Sequence, residues 1–209
     1  MNKTLKTILI FSLGVLVTVG LVLVPWQDLA NKVGFDPFRT NVPSSLKANC
    51  LVGSCRVYID GQDKGETPVE LIDITPGKHT VKIEKLSSTP DFYTDISREI
   101  EFLKGTEVYM EWELGPSELF SQGYTVSFKD RNHDTESVLS ISSELSDISV
   151  SIDGVNAGSV PYLAGQDDLS TGSHKLTFSK SGYLDREIEL DINYKYATQV
   201  EVDLMAKPI

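Results

Sequence analysis

Short runs in which apolar and polar residues alternate dominate the chain after its first 55 residues. Each run is bounded by glycine, proline or aspartate, and five clear examples cover residues 98–102, 107–114, 124–128, 186–190 and 199–204. Strict period-two alternation over short runs of this kind predicts half-buried β-strands. The pattern therefore predicts an all-β protein from this point onward.

An uninterrupted apolar run precedes the alternating region. Residues 7–24 are 18 consecutive residues without a charge, which would form a helix about 27 Å long, close to the hydrocarbon thickness of a bilayer. Lys3 and Lys6 lie before this run, whereas Pro25, Trp26 and Asp28 follow it. Because positive residues favour the cytoplasmic side, this asymmetry predicts that the N-terminus lies inside.

We therefore predict a cytoplasmic segment over 1–6, a transmembrane signal anchor over 7–25 and an extracytoplasmic remainder from Trp26 onward. The protein would then be a single-pass protein of the cell membrane. The alternative is a cleaved signal peptide, for which Thr18-Val19-Gly20 is a weak cleavage motif that is followed by four more apolar residues.

One segment of the chain occurs twice without a gap. Residues 57–69 read VYIDGQDKGETPV and residues 150–162 read VSIDGVNAGSVPY. The match continues in the same order, with 76–79 answered by 171–174 and 98–102 answered by 186–190. Repetition of this kind means that the chain contains one domain twice. We predict domain 1 over 45–114 and domain 2 over 138–207, with a juxtamembrane linker over 26–44 and a connector over 115–137 that contains one strand.

Most residues shared by the two copies are turn formers. Glycine readily adopts positive φ, and the aspartate side chain can hydrogen-bond to nearby backbone groups. Proline lacks a backbone N–H donor, so the strands beside it should be short or lie at the edge of a sheet. These repeated structural residues are Asp60, Gly61, Gly65, Pro68 and Gly77 in the first copy, and Asp153, Gly154, Gly158, Pro161 and Gly172 in the second.

The order of strand, V-x-I-D-G-x-x-x-G-x-x-P turn and G-x-H followed by alternating apolar residues resembles the PEGA domain, a small all-β module of bacterial and archaeal envelope proteins. The four letters that name that family are absent here, since 52–55 and 145–148 read VGSC and LSDI. The resemblance implies two tandem small antiparallel β-sandwich domains in an envelope binding module that is often tethered. It supplies no catalytic residue.

The charge balance excludes one class of partner. Acidic residues outnumber basic ones by 30 to 19. Since Lys3 and Lys6 precede the apolar run, the remainder carries 17 basic residues and a formal charge of −13. Such a surface repels nucleic acid and anionic headgroups, so we expect no nucleic-acid partner.

The candidate catalytic and metal-binding residues have simpler structural explanations. His79 and His174 stand at equivalent places between a turn and a strand, which favours a structural role over a metal or catalytic one. Asp130, Asn132 and Asp134 alternate as in a calcium loop but lack its glycine and distant glutamate. Two pairs of glutamates, at 99 and 101 and at 187 and 189, alternate with apolar residues and predict an exposed sheet face, while Trp112 is expected in the core. We therefore predict no catalytic residue, metal or cofactor.

Cys50 and Cys55 are the only cysteines. Both would lie in an oxidising compartment, which favours a disulfide across the predicted turn at 51–54. A pair of buried free thiols is the alternative.

These observations predict a membrane-anchored, extracytoplasmic, non-enzymatic envelope protein whose two domains contact a glycan or a surface protein. A structural spacer or surface-layer-associated stalk is the alternative, and an enzyme acting on the cell wall is a third hypothesis. The two copies differ most in loop length, so we expect binding at Leu86–Asp91, which is longer in the first copy, and at Gly165–Thr171, which is longer in the second.

Overall fold

The structure is a computed structural model that describes residues 42–89, 92–131 and 137–208. The predicted anchor over 7–25 and most of the predicted linker lie outside these ranges. Within them, no helix is long and apolar enough to cross a membrane. Residues Asn41–Ile209 form one compact unit that contains both repeats.

The two repeats have the same order of seven strands, and one further strand lies between them. Repeat 1 contains β1 (Ser44–Cys50), β2 (Cys55–Ile59), β3 (Gln62–Glu66), β4 (Val69–Ile74), β5 (Gly77–Lys85), β6 (Ile96–Phe102) and β7 (Glu107–Glu113). The connector contains a short 3-10 helix (Glu118–Phe120) and β8 (Gln122–Asp130). Repeat 2 contains β9 (Leu139–Ser142), β10 (Ser149–Ile152), β11 (Val155–Ser159), β12 (Tyr162–Ala164), β13 (Gly172–Ser179), β14 (Arg186–Ile192) and β15 (Tyr196–Asp203).

These strands form three sheets, and one of them runs through both repeats. The seven-stranded sheet has the order β4-β1-β7-β8-β15-β9-β12, and the two four-stranded sheets have the orders β3-β2-β5-β6 and β11-β10-β13-β14. The predicted all-β fold is confirmed. The repeats are joined through β8, however, and do not form two separate sandwiches.

The prediction that every strand pair is antiparallel is wrong at one place in each repeat. β1 pairs with β7 in parallel, and β9 pairs with β15 in parallel. The first strand of each repeat is followed by a long excursion through the opposite sheet, so the last strand returns in the same direction. Parallel neighbours require a crossover connection of this kind.

The strand register shows that the two cores lie on opposite faces of the shared sheet. Met110 of β7 lies beside Thr125 of β8, which lies beside Glu201 of β15, so these three share the face that carries the core of repeat 1. Tyr109 lies beside Val126, which lies beside Val200 in the core of repeat 2. The two four-stranded sheets therefore cover opposite faces, each over its own repeat.

The sequence match of 98–102 with 186–190 is two residues out of register with the structure. Val81 and Leu176 are equivalent, since each pairs with the isoleucine of the shared Ile-Asp-Gly sequence. Val81 lies opposite Arg98, but Leu176 lies opposite Ile188 and not Arg186. A shift of two residues preserves which side chains face inward, which is why alternation could not reveal it.

Candidate functional site

An aspartate and a histidine form the same clamp in both repeats. Asp60 and Asp153 have positive φ at the turn that ends β2 or β10. Asp60 Oδ2 lies 2.6 Å from His79 Nδ1, and its Oδ1 accepts a hydrogen bond from the Thr80 amide. In repeat 2, Asp153 makes the equivalent contacts with His174 Nδ1, at 2.7 Å, and with the amide of Lys175. The clamp fixes the turn to the long strand beside it.

The second ring nitrogen of each histidine is also occupied. His79 Nε2 lies 2.8 Å from the Thr75 carbonyl oxygen, and His174 Nε2 lies 2.9 Å from that of Ser170. A catalytic dyad would direct this nitrogen at a nucleophile or substrate. Because both nitrogens face acceptors, both bonds form only when the ring carries two protons.

The electrostatics of the repeat 2 clamp predict a pH window. The Lys175 amide and the His174 ring lower the pKa of Asp153. Burial of His174 opposes its charging, but hydrogen bonds to Asp153 and to the Ser170 carbonyl raise its pKa overall. Because the pKa of Asp153 is lowered on folding, its carboxylate stabilises the fold above its unfolded pKa of about 3.9. This stabilisation is lost as the pH falls through the folded pKa. Because the pKa of His174 is raised on folding, its protonated ring stabilises the fold fully below its unfolded pKa of about 6.5. This stabilisation is lost as the pH rises through the folded pKa.

Two arginines connect each repeat to the last strand of the other. Arg98 of β6 contacts Asp203 of β15 at 3.0 Å and also pairs with Glu201. Reciprocally, Arg186 of β14 contacts Glu111 of β7 at 2.8 Å. The two arginine side chains are only 14% and 10% exposed. They occupy non-equivalent positions along their strands, yet both cross β8 to the neighbouring repeat.

The Arg98 contact is partly desolvated. Burial raises the pKa of Glu201, against the lowering influence of Arg98. The guanidinium also lies 5.3 Å from the centre of the Trp112 ring, a favourable cation–π distance. A cavity of about 260 Å³ between the repeats is lined by Arg98, Trp112 and Asp203 among others. This arrangement holds the two repeats together.

The shared sheet carries an aromatic groove along β7 and β8, on the face that carries the core of repeat 2. Two adjoining cavities of about 370 and 440 Å³ share Tyr109 and Tyr124 on their lining, with Asn49 and Glu111 at one end. Tyr109 is 41% exposed. Its counterpart in repeat 2 is Gln199, since both lie five residues before a matched leucine. The smaller groove there is lined mainly by serine, threonine, glutamate and lysine side chains.

The predicted binding loop Gly165–Thr171 borders a cleft of about 700 Å³. The loop is held in place because the single hydroxyl hydrogen of Tyr194 is shared between the carbonyl oxygens of Leu169, at 2.7 Å, and Gln166, at 3.0 Å. Leu169 is buried. Tyr162 and three residues of β11, Val155, Asn156 and Ala157, form the other wall. The longer loop of repeat 2 thus forms one side of a preformed cleft.

The other predicted loop, Leu86–Asp91, is described only through Thr89. The Leu86 amide bonds the Ser54 carbonyl oxygen, and Thr89 bonds the Ser87 hydroxyl. None of these five cavities in the described part of the chain is lined by residues 86–89.

The remaining predicted site residues lie in turns or between strands, where they have structural roles. Cys50 and Cys55 are joined by a disulfide across the turn between β1 and β2. The shared glycines 61, 65, 77, 154, 158 and 172 all have positive φ, and Pro68 and Pro161 each stand between two edge strands. The described part of the chain contains no group of three or more His, Cys, Asp or Glu side chains that could hold a metal ion. Asn132 and Asp134 fall outside it.

Sequence reasoning missed the two interdomain arginines and the aromatic groove. The repeat match placed Arg98 and Arg186 in strands but gave them no partner, although each is a basic residue followed by two glutamates in an acidic protein. A basic residue among acidic neighbours is a signal in the sequence that the arginine pairs with a specific carboxylate. Tyr109 had no comparable signal, because its role depends on which strands lie beside β7.

Comparison with known proteins identifies both repeats. The family model described as PEGA domain matches residues 52–118 and 136–207. No curated protein and no solved structure matches the chain.

Proposed function

Because the chain belongs to the PEGA domain family, we propose that it is an extracytoplasmic binding protein of the cell envelope, held by an N-terminal anchor over 7–25, that contacts an envelope glycan or surface protein without catalysing a reaction. PEGA domains are compatible with an envelope module. The apolar run and the lysines before it support the anchor.

One observation carries the proposal: the residues that the repeats share are used in folding, and two tyrosines that line open cavities have no aromatic counterpart in the other repeat. The shared Asp and His form the clamps, and the shared glycines and prolines form turns. By contrast, Tyr109 and Tyr162 line cavities, and their counterparts are Gln199 and Val69. Surface features found in only one copy are not explained by folding, which favours a role in recognition.

The test is capture of envelope components by the immobilised Asn41–Ile209 unit, with the protein and polysaccharide fractions applied separately. We expect one fraction to be retained. Tyr109→Ala should reduce capture of polysaccharide, since exposed aromatic rings supply contact area for sugars, whereas Gln199→Ala is the matched control and should not. Shortening Gly165–Thr171 by two residues should reduce capture of protein. Retention of neither fraction, or hydrolysis of the polysaccharide by the wild-type unit, would contradict the proposal.

Topology is tested separately on intact cells. External protease should remove both repeats while a membrane-bound stub remains. A mature protein that begins near Asn31, or repeats that resist external protease in cells but not in lysates, would contradict the anchored arrangement.

A spacer role is the second candidate, and the continuous seven-stranded sheet favours it. Strands from both repeats share one hydrogen-bonded sheet, and Arg98 and Arg186 add contacts across it. Such a connection fixes the separation of the two repeats. A spacer would tolerate Tyr109→Ala and the shortened loop without loss of function but would fail when the connection through β8 is weakened.

A further inference from the structure

The outer strands β3 and β11 are equivalent edges of their four-stranded sheets, but only one is protected by charge. Each has a strand neighbour on one side only in the described structure. β3 reads Gln-Asp-Lys-Gly-Glu, and Arg56 on the neighbouring strand pairs with Asp63 at 3.5 Å and Glu66 at 2.7 Å. β11 reads Val-Asn-Ala-Gly-Ser and carries no charge. Charged side chains are a common means of preventing strand addition at an edge, so β11 lacks the protection that β3 has.

The unprotected edge adjoins the cleft of about 700 Å³ beside Gly165–Thr171. Val155 is 71% exposed at the start of β11. It pairs with Ile152, so its side chain lies on the inner side of the sheet, towards the cleft. Tyr162 and Leu169 extend the apolar lining beyond the edge. A strand added beside β11 would direct alternate side chains into this cleft and its other side chains to solvent.

The charges around the cleft select among extended partners. Asp153, Asp167 and Asp168 line it, and His174, which pairs with Asp153, is the only basic side chain on its lining. This acidic rim complements a peptide with basic flanks. It disfavours a second copy of the chain, because pairing of two β11 strands would bring two acidic rims together.

We propose that β11 and the adjoining cleft bind an extended segment of a partner protein by strand addition, the segment having alternate small apolar side chains and basic flanking residues. The proposal rests on the binding function proposed above and assigns its protein-binding site. Main-chain hydrogen bonds to β11 hold the segment, and the cleft selects its apolar side chains.

The probe is a capped, labelled heptapeptide of sequence Lys-Val-Thr-Val-Thr-Val-Lys, titrated with the Asn41–Ile209 unit by fluorescence anisotropy. A peptide in which glutamate replaces both lysines is the charge control. We expect saturable binding of the lysine peptide with a Kd below about 1 mM, as befits a short flexible ligand. Amide hydrogen exchange should slow at 155–159 on binding and should be unchanged at 62–66.

The decisive variant gives β11 the residues of β3. The triple substitution Val155→Gln, Asn156→Asp and Ala157→Lys should weaken lysine-peptide binding by about tenfold or more, in line with the several contacts it disrupts. Val155 and Asn156 are exposed, and Ala157 is half-buried at the position where β3 accommodates Lys64, so the thermal unfolding midpoint should stay almost unchanged. The matched control makes the reverse change on β3, with Gln62→Val, Asp63→Asn and Lys64→Ala, and should leave affinity within about twofold of wild type.

Asp167→Asn should weaken binding of the lysine peptide by about two- to fivefold, and this loss of affinity should shrink at high salt.

Three outcomes would overturn the proposal: equal binding of the lysine and glutamate peptides, equal binding by the wild type and the β11 triple variant, or no saturable binding. A concentration-dependent dimer of the wild type that the triple variant abolishes would assign the edge to a second copy instead. If envelope protein is still captured while the peptide result is negative, the proposed function stands and only this site is removed. If nothing from the envelope is captured, the function itself fails.

Discussion

The reciprocal arginines provide the sharpest test of how the two repeats are joined. Arg98→Ala removes a cation that is 14% exposed and leaves Glu201 and Asp203 facing each other with their main partner gone. Attraction between unit charges at the 3.0 Å of the Arg98–Asp203 contact is about 5.5 kcal/mol at an effective dielectric constant of about 20. Desolvation offsets part of this attraction, so we expect a loss of about 2–4 kcal/mol in the free energy of unfolding, between the values for surface and buried pairs.

Urea denaturation followed by circular dichroism measures this loss. Arg56→Ala is the matched control, because Arg56 also contacts two carboxylates, at 3.5 and 2.7 Å, but is 36% exposed and lies within one repeat. Its loss of stability should be clearly smaller than that of Arg98→Ala, because water screens an exposed ion pair. A double-mutant cycle with Asp203→Asn should give a coupling energy of about 1 kcal/mol or more.

The same experiment tests whether the repeats unfold together. Since β8 hydrogen-bonds to both repeats and the arginines cross it, wild-type protein should show one cooperative transition. An Arg98→Ala loss no larger than that of Arg56→Ala would refute the reasoning about desolvation. Two separated transitions in the wild type would refute the inference that the shared sheet couples the repeats.

Three further outcomes follow from individual contacts. Gly123→Ala should lower the free energy of unfolding by about 2–3 kcal/mol in the same urea assay, because its Cβ would overlap the Trp112 ring and the Glu111 carbonyl oxygen. His174→Asn should destabilise most between about pH 4 and 6.5, and the difference from wild type should shrink at higher pH as the histidine loses its proton, which thermal melts across a pH series would detect. Protein denatured without reductant should show no alkylatable thiol by mass spectrometry, and the double variant Cys50→Ala, Cys55→Ala should lose about 2 kcal/mol of stability, as expected for so short a loop.

Local chemistry was sufficient to predict turns and core-facing strand positions within each repeat, but not the parallel pairing of the first and last strands. An aspartate followed by glycine predicted the turn, and the alternation around Trp112 predicted a strand with that ring in the core. Both features depend on neighbouring residues alone. The role of Asp60 as the histidine's partner needed one further fact, the pairing of β2 with β5, which places Asp60 beside His79.

The shared sheet could not be predicted in this way, because alternation identifies a strand but not its neighbours. The connector strand β8 has both of its faces covered: Val126 packs in the core of repeat 2, while Thr125 accepts a hydrogen bond from Trp112 in repeat 1. The stretch 123–128 contains no charge on either face, which is a weak signal for a central strand. The contacts of the interdomain arginines and the Tyr109 groove depend on the position of β8 between β7 and β15. They could therefore not be predicted from the sequence either.

The single connector strand determines how the repeats present their surfaces. β7 and β15 are both antiparallel to β8 and therefore run in the same direction, while β1 and β9 lie on opposite sides of the pair. Only a rotation about an axis along β8 relates two such halves, and that rotation exchanges the faces of the sheet. Equivalent surfaces of the two repeats consequently face opposite ways, so a flat partner cannot contact both at once. The surfaces of the two repeats can therefore differ without affecting a common partner. The edge strands agree with this, since β3 is protected by Asp63 and Lys64 whereas β11 has the uncharged residues Asn156 and Ala157.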